Sequence, residues 1–77
     1  MTTQKVIYRA KFTRGGQIIA HLFVAGHRDA IKKFKKNEVT STINEIIDYI
    51  ETERKAEVLS FSFSSDNSLF ILAKVFS

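Results

Sequence analysis

The sequence predicts an α+β domain: a four-stranded antiparallel sheet made of two hairpins separated by a helical segment, in the order β-β-α-α-β-β, with a helix packed on one face. Three observations carry that expectation. Lys5–Thr13 and Val58–Ser64 alternate in polarity with a period of two, as half-buried strands do. Gly15-Gly16 and Ser65-Asp66-Asn67-Ser68 supply turn-forming residues where hairpins would reverse. Ile43, Ile46, Ile47 and Ile50 follow the i, i+3, i+4, i+7 spacing of one buried helical stripe.

In chain order, the first strand sets Val6, Tyr8, Ala10 and Phe12 on one face and Lys5, Ile7, Arg9, Lys11 and Thr13 on the other. Arg14-Gly15-Gly16 forms the turn. Gln17–Ala25 reads as a second strand that is apolar on both faces, with Ile18, Leu22 and Val24 opposed to Ile19 and Phe23, which suits a central or covered position. Gly26 ends it. Arg28–Lys36 is expected to be a short helix with Ile31 and Phe34 turned inward and Asn37 as its stop. Thr42-Ile43-Asn44-Glu45 fits a capping box, which starts the main helix at Thr42. Asn44, Glu45, Asp48 and Thr52 face water, and Arg54 and Lys55 fall in the last turn, where cations suit the helix dipole. Leu69–Phe76 closes the pattern as a strand that is apolar on both faces except at Lys74.

With 77 residues the chain forms one small domain, residues 1–77, and 44% hydrophobic composition separates it from disordered tails. There is no Cys, hence no disulfide, thiolate metal site or thiol nucleophile. The apolar runs Ile18–Ala20, Leu22–Gly26 and Leu69–Ala73 fall far short of the roughly 18 residues of a membrane span. No apolar stretch of secretory type follows Met1-Thr2-Thr3-Gln4-Lys5, so the expected location is cytoplasmic, away from membranes. A single helix covers only one face of a sheet. Some of Ile19, Phe23, Phe70, Leu72 and Phe76 should therefore stand exposed on the other, which points to a homodimer formed through the sheet or its edge.

Charge supplies the functional clue. Residues 1–36 carry nine cations against Asp29 alone, a net +8, whereas residues 37–77 carry three cations against seven acids, a net −4. Arg9, Lys11 and Arg14 on the first hairpin, with Arg28, Lys32, Lys33, Lys35 and Lys36 on the expected short helix, form the candidate nucleic-acid-binding set. Such cations neutralise phosphates and release counterions. RNA is expected ahead of DNA, because sheet surfaces and loops accommodate flexible strands. No RNP-like aromatic motif, GxxG loop or zinc-finger spacing is present.

Two other readings share these residues. The lysines can be an ordinary solvated face, or they can steer an inhibitor or adaptor toward an acidic protein, a nucleic-acid enzyme or toxin included, with the apolar sheet surface supplying affinity. The acids Glu45, Asp48, Glu51 and Glu53 read first as the wet side of the helix; they would also suit head-to-tail contact with a neighbouring basic patch. No enzymatic role is expected: His21 reads as a satisfied core imidazole, and His27-Arg28-Asp29 is too generic for acid–base chemistry. No metal or cofactor is expected either, since two His and scattered carboxylates lack ligand spacing. In its small size, lack of Pro and Cys, and richness in Lys, Ile and Phe, the chain resembles accessory proteins of bacteriophages or mobile elements; the resemblance is compositional and covers no motif.

Overall fold

The first strand is long because nothing interrupts its alternation. In the computed structural model, which describes residues 3–76, it spans Thr3–Gly15 (β1). It turns on Gly16 alone: Gly15 pairs with Gln17, and Gly16 takes φ +75°, a backbone conformation that favours glycine. Gln17–Val24 (β2) returns antiparallel. The next segment corrects the sequence expectation. Arg28–Lys36 is not a short helix: after a turn built on Gly26, Lys32–Lys36 (β3) pairs antiparallel with β2.

The physical reason lies in β2. A strand apolar on both faces needs a neighbour along each edge, and Lys-Lys-Phe-Lys-Lys read with period two offers one. Phe34 is buried opposite Ala20, and Lys33 and Lys35 turn the other way. The Ile31 N–H donates to Leu22 O at 2.7 Å and begins the pairing. Local i, i+3 spacing of Ile31 and Phe34 loses to this tertiary demand.

Val39–Thr52 (α1) follows. It begins a turn earlier than the capping box implied. Glu38 is the N-cap residue without a side-chain cap bond, and Thr42 is fully buried inside the first turns, its hydroxyl donating to Glu38 O at 2.7 Å. Val39 extends the apolar stripe through Ile43, Ile46 and Ile50, and that burial outweighs the capping chemistry. The helix ends before Arg54 and Lys55, which were expected within its last turn. The N–H of Glu53 donates to Tyr49 O at 2.8 Å, and Lys55 sits at φ +51° to redirect the chain.

Ala56–Phe63 (β4) and Ser68–Phe76 (β5) form the last hairpin, with a register irregularity between Val58 and Ser60. Its turn is tied internally by the Ser64 hydroxyl, which donates to Asp66. That bond holds the Asp66 carboxyl below its usual pKa. The turn is also tied to β1 by the Phe12 N–H, which donates to Asn67 O at 3.1 Å.

The sheet therefore has five antiparallel strands in the order β3-β2-β1-β5-β4, with one helix, and the chain runs β-β-β-α-β-β. This replaces the four-stranded sheet with two helical segments in β-β-α-α-β-β order. The core lies between α1 and the sheet. Tyr8, Leu22, Ile46, Ile50, Leu69 and Ile71 are its large fully buried hydrophobic members, and Ala10, Ala20 and Ala73 give close packing between them. The helix leaves β3 at the Gly16 end of the sheet and delivers the chain to β4 at the other end, so it crosses from corner to corner. At 14 residues it is about 21 Å long, half the 45 Å extent of the molecule, and two corners of that face stay uncovered. No helix among the described residues is long and apolar enough to cross a membrane.

Candidate nucleic-acid interface

Among the described residues no helix lies over the second face of the sheet. Strand register sorts its side chains into rows. The central row runs Phe23–Arg9–Phe70–Ser62 across β2, β1, β5 and β4. Beside it lies Lys33–His21–Lys11 across β3, β2 and β1, and beyond that Lys35–Ile19–Thr13. On the other side come Ile7–Leu72–Ser60 and then Lys5–Lys74–Glu57. Rows two residues apart are about 7 Å from each other, and neighbouring strands about 4.8 Å.

Arg9 occupies the middle strand of the five, and its guanidinium lies 5.3 Å from the centre of the Phe23 ring, in cation–π range. Phe70, 39% exposed, flanks it on the far side. The two rings are two strands apart, about 10 Å. Arg9, Phe23 and Phe70 line a shallow cleft of about 270 Å³ closed at one end by the Val24–His27 turn. Ile7 is exposed and Ile19 and Leu72 are half-buried, so the expected apolar surface is present at these positions; the side chain of Phe76 lies outside the described residues. His21, expected to be a core imidazole, is half-buried on this face between Lys11 and Lys33.

The eight candidate cations do not form one cluster. Arg9, Lys11, Lys33 and Lys35 converge on the open face. Arg14 is exposed near the Gly16 turn, and Arg28 is exposed in the turn at the opposite end of the sheet. Lys32 and Lys36 alternate onto the helix side. Lys32 Nζ lies 5.7 Å from the ring centres of both Phe34 and Tyr49, and Lys36 Nζ makes a 2.8 Å ion pair with Glu45. The expected short helix would set Arg28, Lys32, Lys35 and Lys36 on one face with Lys33 just beyond; the strand found instead sends alternate residues to opposite faces.

What the sequence reasoning missed is the partnership of these cations with aromatic rings. The signal was present in two separate readings: the Lys5–Arg9–Lys11 face of β1, and the double-faced apolar character of β2 and β5. Register joins them. The same register turns the charge split along the chain into a split between layers. Six cations and only Glu57 project on the open face, while α1 carries Glu45, Asp48 and Glu51 and no cation.

At one uncovered corner of the helix side, Val6, Tyr8, Val24, Ile31 and Val75 floor a cleft of about 610 Å³, with His27, Asp29, Glu53 and Arg54 around it. Arg54 Nε approaches the Tyr8 hydroxyl at 3.5 Å, and this contact, outweighing partial desolvation, raises the guanidinium pKa above its usual value. No group of three or more His, Asp or Glu suited to a metal ion occurs among the described residues. No family model matches the chain, and no curated protein or solved structure matches it either.

Proposed function

We propose that the open sheet face binds single-stranded nucleic acid, RNA ahead of DNA, and that the protein acts by binding rather than by catalysis. The observation that carries this reading is the central row, in which Arg9 is flanked across three adjacent strands by Phe23 and Phe70, with Lys11 and Lys33 one row away. Aromatic rings give unpaired bases a stacking surface, each stacked base contributing about 1–3 kcal/mol, and the lysines meet the phosphates beside them. A broad sheet with no projecting element on that side suits splayed bases better than a duplex groove. The acids on α1 lie on the opposite layer, so they orient the open face toward a polyanion.

A second reading has its own support: Ile7, Leu72 and Phe70 give the open face enough apolar surface to seat an acidic protein, with the protein acting as an inhibitor or adaptor. Fluorescence anisotropy with labelled single-stranded RNA, single-stranded DNA and duplex DNA, at low and physiological salt, separates the two. Single strands should bind at physiological salt, RNA tightest, with duplex weakest. Replacing Arg9, Lys11, Lys33 and Lys35 together by Gln should flatten the salt dependence by a log–log slope of about 3, at roughly 0.7 per phosphate neutralised on a single strand. An unchanged slope in that variant, or no binding at physiological salt, would overturn the nucleic-acid reading and favour the protein partner.

A further inference from the structure

We infer that β4 pairs antiparallel with the β4 of a second copy about a two-fold axis normal to the sheet, joining two five-stranded sheets edge to edge. The two edges of the sheet differ in what they permit. β3 is short, and four of its five residues are lysines, so pairing it with itself sets like charges against each other. β4 is the opposite edge, and among the described residues no strand lies beside its outward backbone N–H and C=O groups. From Val58 to Phe63 it carries no charge.

The side chains at this edge have the exposure of an unfinished interface. Leu59, Phe61 and Phe63 are 43%, 50% and 48% exposed. Phe61 and Phe63 pair in register with the buried Ile71 and Leu69, so they belong to the helix side of the sheet. They stand at the corner that α1 does not reach, and Phe63 packs only on Phe12, at 5.6 Å between ring centres, in the aromatic contacts of the described residues.

The strand is complementary to itself. A two-fold axis through Phe61 sets Phe61 opposite its own counterpart and Ser60 opposite Ser62. Aromatic residues then meet on the helix side and serines on the open side, with Glu57 beyond the paired segment. The irregularity between Val58 and Ser60 bends the strand and confines pairing to its second half. Half-exposed Phe rings offer roughly 100 Å² apiece. With Leu59 the apolar area falls well short of the about 800 Å² per partner of a standard interface. Backbone hydrogen bonds supply the remainder, as in other strand additions, and the dimer is a weak one.

The pairing stands on the edge alone. Its consequence rests on the nucleic-acid reading: the Phe23–Arg9–Phe70–Ser62 row of one open face runs on through Ser60, Leu72 and Ile7 of the second copy, so one strand can run over both. Sedimentation velocity of the full chain without nucleic acid, from about 1 μM to about 1 mM, tests the pairing in the affinity range expected of a weak dimer. A concentration-dependent dimer is expected. Leu59→Lys/Phe61→Lys and Leu59→Glu/Phe61→Glu should each sediment as monomers with unchanged circular dichroism, and an equal mixture of the two should recover a dimer. A wild type that stays monomeric throughout, a dimer that survives in both variants, or a mixture that fails to associate would overturn the proposal. A wild type that dimerises but fails to bind labelled single-stranded RNA by anisotropy would count against the open-face reading instead.

Discussion

Tyr8 and Arg9 are neighbours in β1, and one residue of strand separates two different environments. On the helix side, Tyr8, Leu22 and Ile71 are at most 2% exposed and sit within a continuous apolar cluster. On the open side, the next residues along the same strands, Arg9, Phe23 and Leu72, are half-buried, and Phe70 is more exposed still. Both faces use Phe, Ile and Leu. Where α1 covers them they stabilise the fold; where it does not they stay half-buried or exposed. Hydrophobic content in a strand therefore does not by itself identify core. The presence of a covering layer does.

Substitutions on the two layers test this contrast. The largest effect belongs to the covered layer: Ile50→Ala, at a fully buried position on the sheet-facing side of α1, should lower unfolding stability by about 2–5 kcal/mol in urea titration. In so small a domain that approaches the total. The matching change on the open layer, Phe23→Ala or Phe70→Ala, should spare most of the stability and weaken single-stranded RNA by about 1–3 kcal/mol each, read by anisotropy. A Phe70→Ala protein that melts like Ile50→Ala and binds RNA normally would erase the contrast. The smallest effect compares neighbours in β3. Lys33→Gln should reduce the salt-dependence slope by about 0.7, whereas Lys32→Gln, turned to the helix side beside Phe34 and Tyr49, should leave it unchanged.

Sequence pattern revealed much of this layering. The faces of β1, the apolar stripe of α1, both hairpin turns and the double-faced character of β2 and β5 are legible because period two and period 3.6 are local properties. β3 was not. Lys32–Lys36 carries one inward residue, Phe34, and with Ile31 it satisfies a helical spacing as readily as a strand; only the free edge of β2 decides. The start of α1 was misplaced for a related reason, since Thr42-Ile43-Asn44-Glu45 reads as a cap locally while Val39 finds burial in the assembled core. Of the candidate site, Arg9, Lys11, Lys33 and Lys35 were identified one by one. Their convergence with Phe23 and Phe70 was not, because it needs the register of the β1–β2 hairpin together with that of β1 and β5, which lie at opposite ends of the chain.

That register also governs how the chain can fold. β1 lies in the middle of the sheet, yet one of its two neighbours is β5, with Lys11 opposite Ser68 and Val6 opposite Ala73. The β1–β2–β3 meander and the β4–β5 hairpin each close over short loops. The central pair closes only when residues separated by most of the sequence meet, at the highest loop entropy in the molecule. Half of the core, including Tyr8, Ala10, Leu69 and Ile71, straddles that junction. The topology predicts that the meeting of these two sub-sheets is the slow step, so substitutions at Tyr8 or Ile71 should lower the refolding rate in stopped-flow measurements as well as the final stability.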